Sequence, residues 1–318
     1  MPRLRRSNSS ARGLRRVRSG KGFSYRDTDG TVIKDPDRRI RIESLAIPPA
    51  WKDVWIAPYA NGHIQATGTD AAGRTQYIYH PVWREQKDRL KFDRALDLAE
   101  TLPAARRTVT RGLQGTTHTK LQTLAAAFRL LDIGALRIGS EQYAQEHGSR
   151  GLATLLCSHI SIKGDVISLA FPSKSGQEWH SELRDPELAR VLRGLKRRGS
   201  GARLLAYKDG GRWQPLTAED INQYIRDETK GEFTAKDFRT LQGTIAAAVA
   251  FARVGPQTGV AATKRAVSQV MAEVAEVLGN TPAVARSSYV DPRVVDRFDR
   301  GQVIDAAKGG SGLRGLVE

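Results

Sequence analysis

The sequence predicts an α+β protein, with a small β-rich N-terminal domain and a mainly α C-terminal domain that is interrupted by a β-hairpin. Three observations carry this reading. Before about residue 85 the pattern has period two, as in Thr75-Gln76-Tyr77-Ile78-Tyr79. Beyond about residue 90 it becomes helical, with Leu121, Leu124, Ala125, Phe128 and Leu131 on one face. The 318 residues are 40% apolar and 27% charged, the composition of a globular chain with a sizeable core, and the length suits two domains better than one.

Taken in order, residues 1–21 combine Arg3, Arg5, Arg6, Arg12, Arg15, Arg16, Arg18 and Lys21 with Ser and Gly. Such a segment cannot bury enough surface to fold alone and is expected to be a basic flexible arm. Residues 22–88 form the β-rich domain, with turns at Asp29-Gly30 and Asn61-Gly62 and with Trp51 and Trp55 as core. Asp27 and Asp29 ahead of Gly30 read as turn residues, because the remaining ligands of a calcium loop are missing.

The α-rich domain covers 89–305. Its hairpin lies in 159–169 and leads to a further turn at Ser173-Lys174-Ser175-Gly176. Asp185 before Pro186 reads as an N-cap, and the pairs Thr217/Asp220 and Thr234/Asp237 as capping boxes. Ala246 to Ala252 supplies small residues for close helix packing. A helix from about Gly259 to Leu278 stops at Gly279, and Thr281-Pro282 starts a short new one. Gly309-Gly310-Ser311-Gly312 marks 306–318 as a flexible tail.

The formal charge of +17 repels itself on folding and calls for a polyanionic partner, without distinguishing DNA from RNA. The single cysteine, Cys157, sits in an apolar run and reads as a buried small hydrophobe in a reducing compartment. The N-terminal arginines are followed by no apolar stretch, so a cytoplasmic protein is expected. No run approaches the roughly 18 apolar residues of a membrane span.

The six histidines are scattered as His63, His80, His118, His147, His159 and His180, without zinc-site spacing. There is no GxxxxGK[ST] loop and no clustered acidic motif, so neither ATP nor a metal cofactor is expected. What remains is an excess of Arg and Lys beside eight tyrosines. That set suffices to cleave a phosphodiester: a tyrosine oxygen attacks phosphorus, two guanidiniums clamp the non-bridging oxygens, and a lysine protonates the leaving oxygen.

The toolkit is present in order: Arg137 in Leu136-Arg137-Ile138-Gly139-Ser140-Glu141-Gln142-Tyr143, Lys174 in Phe171-Pro172-Ser173-Lys174-Ser175-Gly176, and Arg239 in Lys236-Asp237-Phe238-Arg239-Thr240. Gly279-Asn280-Thr281-Pro282 follows, and then Tyr289. In this order and spacing the chain resembles the type IB DNA topoisomerases of the poxvirus and bacterial kind. The resemblance covers most of the chain, including Pro48-Pro49-Ala50-Trp51 and Gly73-Arg74-Thr75-Gln76-Tyr77-Ile78-Tyr79.

The resemblance implies Tyr289 as nucleophile, Arg137 and Arg239 as phosphate clamps, and Lys174 as general acid on the hairpin. It also implies a 3′-phosphotyrosyl intermediate, a free 5′-hydroxyl, and double-stranded DNA held by a clamping monomer in the bacterial nucleoid. Where the poxvirus enzymes carry a histidine, this chain has Asn280, whose amide can donate the same hydrogen bond but cannot move protons. Arg74, Gln76, Tyr77 and Tyr79 in the β part, with Tyr143 and Lys236 in the α part, fall at positions expected to contact DNA.

Each residue also has an ordinary reading. Arg137 alone would be a helix-surface charge, Lys174 a turn lysine, Arg239 an ion-pair partner of Asp237 or Glu232, and Tyr289 a half-buried helix tyrosine; Tyr77 and Tyr79 would pack inward. The ordered combination favours the catalytic reading. A tyrosine site-specific recombinase shares the Arg-Lys-Arg-Tyr set, but it usually has a histidine where Lys236 stands and a helical N-terminal domain. A non-enzymatic DNA-binding protein would need only the charge.

Overall fold

A computed structural model of the chain describes residues 3–115, 118–305 and 313–317. The chain divides into two compact units, 1–90 and 91–318. The first contains strands β1 (Leu14–Ser19) and β2 (Gly22–Arg26), helix α1 (Pro36–Ser44), and strands β3 (Lys52–Ile56), β4 (Ile64–Thr69) and β5 (Thr75–Tyr79). These strands form one antiparallel sheet in the order β2-β1-β3-β4-β5. Leu14, Ile33, Ile42, Ile47, Val54, Ile56 and Ala66 form its core, and Ile42 brings α1 into it.

The expected basic arm is corrected here, because Leu14–Ser19 is a strand inside the sheet. Leu14 is fully buried opposite Ile56, and its anchoring partners lie some forty residues away. Arg16 is a brace, donating to the carbonyls of Ile47 (3.1 Å), Pro48 (3.1 Å) and Trp51 (2.7 Å). Asp27 pairs with Arg38 beside the turn at Asp29-Gly30. Trp55 is buried as expected, and its indole donates to the Ala11 carbonyl.

Helix α2 (Pro81–Leu113) carries the chain across the boundary between the units. The second unit continues with α3 (Lys120–Gly134), α4 (Glu141–His147), β6 (Ile160–Lys163), β7 (Val166–Pro172), β8 (Glu178–Arg184) and α5 (Pro186–Lys196). After the hairpin β9 (Ala206–Asp209) and β10 (Arg212–Pro215) come α6 (Ala218–Thr229), α7 (Ala235–Val254), α8 (Val260–Leu278), α9 (Pro282–Ser288), α10 (Pro292–Asp299) and α11 (Leu313–Val317). The expected hairpin at 159–169 is β6–β7, and β8 extends it to a three-stranded sheet. Gly309 to Gly312 of the expected tail lie outside the described residues, but Leu313–Val317 is helical and Val317 is buried.

The local stop and start signals act as the residue types require. Asp185 accepts from the Leu188 amide to cap α5, Thr217/Asp220 and Thr234/Asp237 form capping boxes on α6 and α7, and Gly279 ends α8 in the left-handed region at φ +55°. Phe128 of α3 meets Phe238 of α7 edge to face at 5.2 Å, and both are fully buried. Burial of each is worth about 1.5–3 kcal/mol, and together they fix α7 beside α3, which sets the direction of the next residue, Arg239. Leu121 departs from the expected apolar face of α3: it is 56% exposed while Leu124, Ala125, Phe128 and Leu131 are buried. Cys157 is buried, as its apolar run requires. Among the described residues, no helix is long and apolar enough to cross a membrane.

Candidate active site

Arg137 lies in the extended segment that follows α3. Ala135 turns the chain there at φ +49°, and Leu152 and Ala153 donate to the carbonyls of Arg137 and Ile138, both at 2.8 Å. Gly139 and Gly151 touch main chain to main chain at this point. A Cβ on Gly151 would come within 2.6 Å of Gly139 Cα and 2.7 Å of the Arg137 carbonyl, so no larger residue fits.

The C-terminus of α8 holds both guanidiniums. Arg137 Nη2 donates to the Gly279 carbonyl at 3.1 Å and to Asn280 Oδ1, while its Nη1 reaches Ser173 Oγ at 3.5 Å. Arg239, only 2% exposed, donates Nη2 to the Leu278 carbonyl at 2.8 Å and Nη1 to the Ala135 carbonyl. A helix end leaves its last carbonyls unpaired and carries partial negative charge, so it holds cations without neutralising them. Neither arginine pairs with a carboxylate among the described residues. Asp237, the ion-pair partner that the ordinary reading gave Arg239, binds Arg94 instead.

Burial, then repulsion from Arg137, pulls the Arg239 pKa down to about 10, which leaves the guanidinium charged at neutral pH. Burial lowers that of Arg137 too. Two donors in the same place, Arg239 Nε and Asn280 Nδ2, are buried and have no hydrogen-bond partner. Orphaned buried donors beside two unpaired cations form a ready site for an anion with several oxygens.

Tyr289 follows α9 and packs against the core, with the Arg239 guanidinium 5.0 Å from its ring centre. Burial alone would raise the phenol's pKa, but Arg239, then Arg137 and Lys236, outweigh it and hold it below the ordinary tyrosine value. Lys174 occupies the short turn 174–176 between β7 and β8 and is exposed. The structure therefore brings Arg137, Arg239, Asn280 and Tyr289 together. Lys174 is not brought into contact with them; its neighbour Ser173 touches Arg137, and Lys174 itself is exposed.

The expected DNA contacts fall on surfaces. Tyr77 and Tyr79 are 46% and 43% exposed on one face of the edge strand β5, with rings stacked at 5.9 Å, so the inward-packed alternative is overturned. Gln76 lies on the opposite face. Its amide and the Arg74 guanidinium both bind Asp70, a residue that sequence reasoning passed over. Main-chain and side-chain donors from Arg74 lead in lowering the Asp70 carboxyl to about 2. In the second unit, Tyr143 on α4 and Lys236 in the first turn of α7 are exposed. No group of three His, Cys, Asp or Glu among the described residues is arranged to hold a metal.

One buried and one half-buried arginine, neither paired with a carboxylate among the described residues, stand beside a phenol held below its ordinary pKa, an arrangement suited to gripping an anion next to a tyrosine oxygen. The chain matches the family model described as the eukaryotic DNA topoisomerase I catalytic core over residues 80–302, and that described as the bacterial DNA topoisomerase IB N-terminal domain over residues 22–70. It belongs to the type IB DNA topoisomerase family and is a DNA topoisomerase of that type, with DNA as its substrate. It is 30% identical over 286 residues to the DNA topoisomerase 1B of Acanthamoeba polyphaga mimivirus, a match covering 87% of this chain and 85% of that protein.

Proposed function

We propose that this topoisomerase relaxes supercoiled DNA by transient cleavage of one strand at Tyr289, with neither ATP nor metal, acting as a monomer on cytoplasmic DNA. The observation that carries the reading is the pair of guanidiniums, Arg239 buried and Arg137 half-buried, held by neutral oxygens and not by carboxylates. They supply two full positive charges to a bound phosphate. Tyr289 Oη forms a bond to phosphorus and releases its proton to solvent as the bond to the 5′ oxygen breaks. Lys174 gives that oxygen a proton, leaving a 5′-hydroxyl and a 3′-phosphotyrosine. One ester replaces another, so religation needs no energy source. Asn280 Nδ2 and Arg239 Nε are the donors free to stabilise the crowded transition state.

Relaxation of both positively and negatively supercoiled plasmid is expected to continue in excess chelator without nucleotide. A strict magnesium requirement would contradict the charge assignment. Lys174→Ala is expected to cut poorly on ordinary DNA and to recover on a strand whose 5′ leaving group is a weaker base, because that group departs without a proton. Equal impairment on both strands would remove Lys174 from the acid role.

A further inference from the structure

We infer that Thr244 is a positioning residue that fixes the main chain of the nucleophile against the helix carrying Arg239. This rests on the reading of Tyr289 as nucleophile. Thr244 lies one turn and one residue beyond Arg239 on α7 and is 2% exposed. A threonine inside a helix ordinarily turns its hydroxyl back to the carbonyl four residues earlier, and Thr244 Oγ1 does lie 2.9 Å from the Thr240 carbonyl. The same oxygen is 3.1 Å from the Tyr289 carbonyl and accepts the Asp291 amide at 3.2 Å. It thus brackets the three-residue link between α9 and α10.

The adjacent residue sets the approach. A Cβ on Gly243 would stand 2.9 Å from both Tyr289 Cβ and the Tyr289 carbonyl oxygen, so the nucleophile's backbone rests directly on α7. Asp291, 1% exposed, closes the other side by binding the Arg293 amide and guanidinium. One helix therefore carries the phosphate clamp and, through Gly243 and Thr244, the main chain of the attacking residue. The distance between phenol and clamp is built into α7 in the free protein. Displacing a reacting group by about 1 Å costs on the order of a hundredfold in rate.

The test is single-turnover cleavage by the full chain of a duplex whose short 5′ fragment diffuses away, at saturating protein, with religation measured separately. Thr244→Val keeps the volume and removes the hydroxyl. It is expected to slow cleavage and religation by the same factor, roughly ten- to a hundredfold, with DNA affinity unchanged, while Thr244→Ser cuts near the wild-type rate. A purely structural role would not slow both directions equally at saturating DNA. Thr244→Val cutting at the wild-type rate, or Thr244→Ser as slow as Thr244→Val, overturns the inference. If Thr244→Val does not fold, Gly243→Ala, which keeps the hydroxyl and presses on the same tyrosine, must slow the same step. Tyr289→Phe separates the two claims: an adduct surviving in that variant sinks the nucleophile reading, whereas its loss there beside normal Thr244→Val kinetics sinks only the role of Thr244.

Discussion

Tyr289→Phe is expected to abolish the covalent protein–DNA adduct trapped by denaturant while leaving salt-sensitive DNA binding close to wild type. The change removes one oxygen and keeps the ring that packs on the core beside Arg239, so fold and charge are untouched. Binding comes from the arginines and lysines that give the chain its charge of +17. For the wild type, the arginines favour the ionised phenol more than burial disfavours it. Cleavage should accordingly rise with pH and level off below the ordinary phenol range near 10. Adduct formation by the phenylalanine variant would show that another residue attacks.

The second large effect belongs to Arg239→Ala. Its guanidinium faces the tyrosine ring and binds the Leu278 and Ala135 carbonyls. Losing one preorganised donor to a developing charge commonly costs roughly 10²–10³ in rate, and here a full charge leaves as well. Single-turnover cleavage should therefore fall by at least that factor. Leaving the two carbonyls buried and unpaired should also cost about 1–3 kcal/mol each at most, visible as a lowered denaturation midpoint. Arg239→Lys should recover little activity, because one ammonium cannot span both carbonyls and still face the phosphate. Near-normal cleavage by the lysine variant would mean that charge alone, not the fork, is what the site uses.

What could be read from the sequence was what depends on neighbours in the chain. Asp185, the boxes at Thr217 and Thr234, and Gly279 act within one helical turn, and each was legible. β1 was not, because Leu14 is stabilised by Ile56 and because arginines crowd the pattern around it. Leu121 satisfied the helical period on paper but falls at the exposed start of α3. The five candidate residues of the site were legible only through their order in the chain. Their support was not: Ser173, Thr244, the Gly139–Gly151 contact and the Asp70 tie to Arg74 and Gln76 arise from packing between distant segments. Single small or polar residues of these kinds carry no local signature.

The way α8 ends has a consequence for how such a site can change over generations. Both Arg137 and Arg239 are gripped there by a main-chain carbonyl, with the Asn280 side chain as a further partner of Arg137, and no substitution can delete a carbonyl. Side chains along α8 are free to drift as long as the helix forms and stops at Gly279. Arginines anchored by carboxylates would lose their hold with any one of them, whereas the grip of these carbonyls survives most side-chain changes in α8 and depends on the few positions that shape the turn.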